Sequence, residues 1–314
     1  MSNEAAPDTS TANTGSSTKW IALAAMMFAV SMMFIDQTIV SIAIPTIQTE
    51  LGLSDAGVQW VINGYLLSLS AFFALGGRLS DILGHKKMVL LGVTIFAVSS
   101  ALCGATPASS AAEAWLIIFR IVQGIGAALL FPAALAIVVS VFPLKERGKA
   151  LALFFGITGG LTAIGPILGG YLSEWTWRAI FWVNVPVAII AIILTLIAKI
   201  HTKHKKEPLD YKGAVLIALG MGFSVLGLQQ ASSWGWGSWK TIGSIVLGLA
   251  LLVIFVKVET KVKIPLIKVE IFKDRAFFVD NAVLFFAMMA FVPVFFFGSV
   301  YSQAVLGYNA SNAG

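Results

Sequence analysis

One cysteine and three histidines in 314 residues leave little for redox or metal chemistry. Cys103 sits in an apolar run, so neither a disulfide framework nor a thiolate metal site is available. His201 and His204 are spaced i, i+3, but their neighbours are lysines. The pair reads as a solvated anchor drawn to anionic lipid, and no metal or other cofactor is expected. Charge is scarce too: charged residues make up 11% of the chain, hydrophobic ones 58%, and mean hydropathy is +0.89. Ordinary soluble domains are about 25% charged, so this balance excludes one and leaves a polytopic membrane protein. No Walker-type phosphate loop is present. Gly124-Ile125-Gly126 and the glycines between 156 and 170 follow no strand and miss the third glycine of a nucleotide fingerprint. No nucleophile, metal set or acid/base pair points to an enzyme.

What is present is apolar sequence in blocks. Hydropathy divides the chain into about nine runs near the length a bilayer demands: 20–44, 57–76, 87–105, 113–141, 148–171, 179–198, 212–230, 240–256 and 277–301. Residues 1–19, rich in Ser, Thr, Ala and Asn, lack the basic start and short apolar core of a cleaved signal and are expected to form a disordered cytoplasmic tail. All basic residues except Arg120, Arg178 and Lys240 fall at Lys19 or in the turns 78–87, 145–149, 199–212 and 257–275. Under the positive-inside rule the N-terminus and these turns are cytoplasmic, and the net charge of +6 needs no nucleic acid to explain it. Tryptophans give a second reading. Trp60, Trp115, Trp175, Trp177, Trp182, Trp234, Trp236 and Trp239 map near the outer boundary and Trp20 near the inner one. The expected location is the cell (inner or cytoplasmic) membrane.

A short repeat organises the first six runs. Gly76-Gly77-Arg78-Leu79-Ser80-Asp81 returns as Gly169-Gly170-Tyr171-Leu172-Ser173-Glu174, and the same shift carries the start of run 1 onto the start of run 4. Three spans per repeat is odd, so the copies have opposite orientation, the construction of secondary transporters with a site near the midplane.

Two charges lie within hydrocarbon depth. Asp36 interrupts the first run with Gln37 and Thr38, and a carboxylate there costs about 2.5–3.5 kcal/mol on insertion scales, which marks an ion or substrate path. Arg120 interrupts the fourth. Asp36 lies about nine residues from the outer end of its run and Arg120 about seven, so the two share a level. Adjacent helices would let them neutralise each other in a balance that substrate can tip. Gly156, Gly160, Gly165, Gly169 and Gly170 recur along the fifth run and permit close helix approach, while Pro166 predicts a kink. The turn Gly77 to Lys87 is expected to use Gly77 and Gly84 for a tight corner, with Asp81 capping a helix or pairing with Arg147.

These motifs together resemble the fourteen-helix drug:proton antiporter branch (EmrB/QacA type) of the major facilitator superfamily, over nearly the whole chain. The Gly77 to Lys87 turn, with Lys86 and Lys87, resembles the signature between helices 2 and 3. Arg120 to Gly126 resembles the helix 4 motif, Gly156 to Gly170 the antiporter motif of helix 5, Asp36 to Pro45 the helix 1 motif, and Trp177 to Pro186 the entry to helix 6. Ile82, His85 and Ser41 depart from the branch pattern, the first two where basic residues are usual and Ser41 where helix 1 usually has Asn.

The resemblance implies an all-α transmembrane fold: an N-terminal six-helix domain of two inverted three-helix repeats (20–198), a cytoplasmic linker (199–211), two extra transmembrane helices (212–256), a cytoplasmic loop (257–276), and the first helix of an incomplete C-terminal bundle (277–314). The chain is expected to be C-terminally truncated. The implied function is export of amphipathic or cationic drugs against inward proton flow, with a proton gradient as the energy source. The partners would be the small-molecule substrate, protons and the lipid bilayer, with a membrane-fusion partner if the cell is Gram-negative. Asp36 and Arg120 would couple protons, with Gln37, Thr38 and Gln123 lining the substrate cavity. The alternatives are a proton-coupled uptake permease of the same fold, or a non-transporting fragment that needs a partner half.

Overall fold

The computed structural model describes residues 16–198, 200 and 208–304, and within these the regular structure is entirely helical. Most of the expected tail, the linker with His201 and His204, and residues 305–314 lie outside the described residues. The helices are α1 (Ser16–Leu51), α2 (Asp55–Leu83), α3 (His85–Gly104), α4 (Ala112–Val141), α5 (Leu144–Trp175), α6 (Ala179–Trp182), α7 (Asn184–Ile197), α8 (Tyr211–Gln229), α9 (Ala231–Trp234), α10 (Trp239–Glu259) and α11 (Arg275–Ala304). Among the described residues seven stretches are long and apolar enough to cross a membrane, and the bent α5 makes an eighth. The ninth expected range is helical as α11.

Several helices outrun their apolar segments. The first run is expected to close at Pro45, but α1 continues to Leu51 with Pro45 inside it. The proline deletes one backbone bond, to the carbonyl of Ser41, on an exposed face where the loss costs least, and the Pro45 carbonyl accepts from Thr49 Oγ1 at 2.9 Å. The expected Gly77 to Lys87 turn is likewise mostly helix. Residues through Leu83 are the last turns of α2, His85 opens α3, and the corner is Gly84 alone, at φ +97°, where a side chain would be strained.

Pairing within α1–α7 follows an internal symmetry. Helix α1 packs on α5 and α2 on α4, while α3 packs on α4 and α7 on α1. Exchanging α1, α2 and α3 with α4, α5 and the α6–α7 pair maps this set of contacts onto itself, as two inverted copies require. The echoed glycines explain how. A Cβ at Gly76 would strike the backbone of Ala128 on α4, and one at Gly169 would come within 3.1 Å of Ile39 on α1. Each sits where its helix crosses the first helix of the other repeat.

The fifth-run glycines divide into two groups. Gly165 and Gly169 face α1, against Thr38 and Ile39, whereas a Cβ at Gly156, Gly160 or Gly170 would meet open space. Close approach is therefore the role of only two of the five. A bend of 44° separates Leu144–Thr162 from Ile167–Trp175, across the range that holds Pro166. Gly76→Ala is expected to destabilise the protein by about 1–3 kcal/mol by wedging α2 from α4, and Gly160→Ala to leave it unchanged, as measured by thermal unfolding in detergent.

Beyond the bundle, α8 and α10 form a hairpin whose α8 side packs on α2. Ala214, Ile217, Phe255 and Leu266 make its small core against Ala74 and Leu75. The tryptophans split: Trp175, Trp236 and Trp239 are exposed as a boundary belt demands, but Trp177 is 1% exposed, a core residue with the Arg178 guanidinium 4.3 Å from its ring centroid.

Candidate functional site

Helix α4 delivers Arg120 to the middle of the bundle because its glycines let neighbouring helices come close. Gly124 lies against Ser68 and the Tyr65 carbonyl of α2, and Gly126 against the backbone of α3 at Phe96 and Gly92. With α2 held this near, Arg120 Nε donates to the Val61 carbonyl at 3.0 Å, and the guanidinium stacks over the Tyr65 ring, 4.5 Å from its centroid. This cation–π contact spreads the arginine charge over an aromatic face as well as a carboxylate.

Asp36, on α1, meets that guanidinium directly: Arg120 Nη1 donates to Asp36 Oδ2 at 2.5 Å. The other carboxylate oxygen, Oδ1, accepts from Gln123 Nε2 at 2.9 Å and from Asn184 Nδ2 at 3.4 Å. Gln123 Oε1 in turn accepts from Arg120 Nη1 at 2.8 Å, closing a ring of three side chains. Asn184 opens α7 and also donates to Ser100 Oγ on α3 at 2.9 Å, and Ser100 donates to the Phe181 carbonyl at 2.8 Å. Side chains from α1, α4 and α7 thus meet at one carboxylate, with α2, α3 and α6 tied in behind them. Asp36 and Gln123 are 0% exposed, and Arg120 and Asn184 2%.

A buried pair like this is stable only when its remaining donors and acceptors are engaged; both Asp36 oxygens are, and Arg120 is engaged through Nε and Nη1. Three donors reach the two oxygens of Asp36, so the carboxylate serves throughout as an acceptor.

Other expected site residues fall elsewhere. Gln123, expected in the cavity wall, is inside the buried network instead, because its i, i+3 spacing from Arg120 turns it inward on the same helix face. Thr38 is half-buried, and its hydroxyl donates to the carbonyls of Ile35 and of Thr162 on α5, each at 3.1 Å, so it is a seam between α1 and α5. Gln37 is half-buried beside the Tyr65 hydroxyl. From it the spacing i, i+4 runs along α1 through Ser41, Pro45 and Thr49, all exposed, to an open depression lined by Pro45, Thr46, Thr49 and Glu50. That depression does not reach Asp36.

Asp81 does not cap α3, whose N-cap is Gly84 without a side-chain bond. It is exposed in the last turn of α2, and among the described residues no ion pair joins it to Arg147, whose Nε donates to the Phe142 carbonyl at 3.1 Å. Lys86 and Lys87 sit in the first turn of α3. This end of the bundle is instead tied by Lys19 to Glu146, between α1 and α5, at 2.5 Å.

Asn184, Ser100 and Tyr65 are the members that the sequence reading passes over. Asn184 carries a signal, an amide two residues before Pro186 in an apolar run, but Ser100 and Tyr65 look like ordinary helix residues until the fold brings them to the pair. Asn184→Ala is expected to weaken the bundle by about 1–3 kcal/mol, since it leaves Ser100 and one side of Asp36 short of a donor. Thermal unfolding in detergent checks this.

Comparison with known proteins agrees with this architecture. The sequence matches the Major Facilitator Superfamily over residues 26–314. It is 38% identical over 299 residues to "Uncharacterized MFS-type transporter EfpA" of Mycobacterium tuberculosis, covering 94% of this chain and 54% of that protein. It is 34% identical over 298 residues to the "Tetracenomycin C resistance and export protein" of Streptomyces glaucescens (94% and 55%), and 31% identical over 310 residues to "Multidrug resistance protein 3" of Bacillus subtilis (98% and 59%). The chain spans about half the length of the curated relatives it matches. A solved POT family peptide transporter superposes with a TM-score of 0.54 at 14% identity, over 76% of this chain and 51% of that one, a likeness of fold.

Proposed function

The chain belongs to the major facilitator superfamily of membrane transporters, and from that premise we infer that it serves proton-coupled export of small amphipathic, often cationic, compounds. The observation that carries this reading is the Asp36–Arg120 pair, an ionisable couple with no access to solvent at the crossing of two inverted repeats. Export as the direction, and drugs or antibiotics as the substrate class, are supported by relatives named for tetracenomycin C export, puromycin resistance and multidrug resistance. The fourteen-helix branch is supported by the α8–α10 hairpin set against α2, between the six-span bundle and α11.

In the proposed cycle Asp36 ionised and bound to Arg120 is the proton-free state. Protonation from the outside neutralises Asp36, frees Arg120, and loosens the hold of α1 on α4. Deprotonation to the cytoplasm restores the pair. Gln37 and the exposed track above it form the part of the substrate path that this chain supplies, and the bend in α5 is the hinge. The basic turns support a cell-membrane protein with its N-terminus in the cytoplasm. One proton moving down 100 mV supplies about 2.3 kcal/mol, enough for roughly a fifty-fold gradient without ATP.

The test is transport in proteoliposomes with ethidium and puromycin as probes. An imposed proton gradient is expected to drive probe movement opposite to the protons, and a protonophore to stop it. Movement in the same direction as protons would establish uptake, and movement indifferent to the protonophore would overturn the coupling.

A further inference from the structure

The base of the α8–α10 hairpin holds a second pair of acidic groups, unconnected with Asp36. Asp210 precedes α8, and its Oδ1 accepts from the backbone N–H groups of Lys212 and Gly213, each at 3.0 Å. Glu259 is the last residue of α10. It is 3% exposed, and its Oε2 accepts from the Ile267 N–H at 2.9 Å, in the segment that folds back after the helix. One oxygen of each carboxyl is thus satisfied by backbone donors. The remaining two, Asp210 Oδ2 and Glu259 Oε1, are buried and without a hydrogen-bond partner. They lie together, since a Cβ added at Gly213 would collide with both.

Two ionised carboxylates cannot be held in this way without a counter-charge. Among the described residues the basic residues nearest to Glu259 and Asp210 in sequence are Lys212 on α8, Lys257 on α10, and Lys261, Lys263 and Lys268 on the returning segment, and Arg78 lies on α2, the helix packed on α8. No ion pair joins any of these lysines to either carboxylate. A metal ion fits poorly, because backbone N–H groups already occupy the other oxygen of each carboxyl and only two oxygens are on offer, fewer than calcium or magnesium takes. One proton fits: it makes one carboxyl a donor to the other, which satisfies both free oxygens and leaves every backbone bond in place.

The geometry points to a proton-binding site between Asp210 and Glu259, a shared-proton clasp that ties the start of α8 to the end of α10 and to the Leu266–Ile267 segment. Gly213 is the residue that lets the two side chains meet. The clasp lies at the end of the hairpin that carries the basic residues, so it reports the pH of that compartment. When the proton leaves, the two negative charges repel and the hairpin base opens.

The test uses the chain in lipid nanodiscs with spin labels at Tyr211→Cys and Lys261→Cys, both exposed positions, and measures label separation as pH is raised. The separation is expected to widen through a single titration in the otherwise native protein. Glu259→Gln and Asp210→Asn are expected to abolish that widening, because an amide bonds to the neighbouring carboxylate without needing a proton, and asparagine keeps the helix cap. Infrared difference spectra across the same pH range are expected to show one protonated carboxyl band that both variants lose. A separation independent of pH in the native protein, or an identical titration in both variants, overturns the clasp. Either outcome leaves proton-coupled transport by Asp36 standing.

Discussion

Replacing Arg120 with methionine is expected to destabilise the folded bundle by about 3–5 kcal/mol, more than any other single change considered. The side chain volumes are similar, so little packing is lost. The cost comes from Asp36, which would be left ionised at 0% exposure with only two amides for partners. Combining Arg120→Met with Asp36→Asn is expected to recover most of that loss, because asparagine keeps bonds to Gln123 and Asn184 and carries no charge to compensate. The two changes are therefore strongly non-additive, as contacting charges are in a double-mutant cycle. Unfolding of the single and double variants in detergent or bicelles checks this. Additive losses would mean that the guanidinium serves packing over Tyr65 and the Val61 carbonyl rather than the carboxylate.

Asp36→Asn alone is expected to cost less than Arg120→Met, because Arg120 keeps the Val61 carbonyl, Gln123 Oε1 and the Tyr65 ring as partners, and to remove coupling. Its amide still fills the position between Gln123, Asn184 and Arg120, but it can neither hold nor release a proton. The driving force of a proton at 100 mV, roughly a fifty-fold gradient, then has no entry into the cycle. Accumulation ratios in proteoliposomes under an imposed gradient are expected to fall from that range to about one, with the purified variant eluting as a folded species. Loss of folded protein in place of lost coupling would assign Asp36 a structural role only.

These two predictions rest on residues that the sequence makes visible for different reasons. Asp36 and Arg120 stand out because charge is improbable in oil, and counting residues from the ends of their runs is enough to place them at one level. The fold and the inverted repeat are legible for a similar reason, since apolar run lengths and an echoed glycine pair survive without any knowledge of packing. Gln123 misleads because hydropathy gives depth and says nothing of azimuth; only the angular offset from Arg120 on α4 shows that it faces inward. Ser100 and Tyr65 stay hidden because each is recruited by contacts between helices far apart in sequence. The turn after α2 misleads for yet another reason. Gly77 and Gly84 are both read as corners, but Gly77 is a helical residue, and of the two only Gly84 has a positive φ.

The same distinction orders the glycines of α5. Spacing identifies them as a family, and the neighbours decide their roles: Gly165 and Gly169 seat α1, while Gly156 and Gly160 present a bare face. Thr38 is committed to that seam, so the polar wall near Asp36 reduces to Gln37 and the track above it.

If the buried pair is the coupling element, adding substrate must change how many protons the protein holds. The most direct measurement is proton release by the purified protein in weakly buffered nanodiscs when puromycin or ethidium is added, followed with a soluble pH indicator. The account predicts release that rises toward one proton per protein as the starting pH is lowered and Asp36 is loaded with its proton, absent from Asp36→Asn and present in Glu259→Gln. Release of the same size from Asp36→Asn would contradict it.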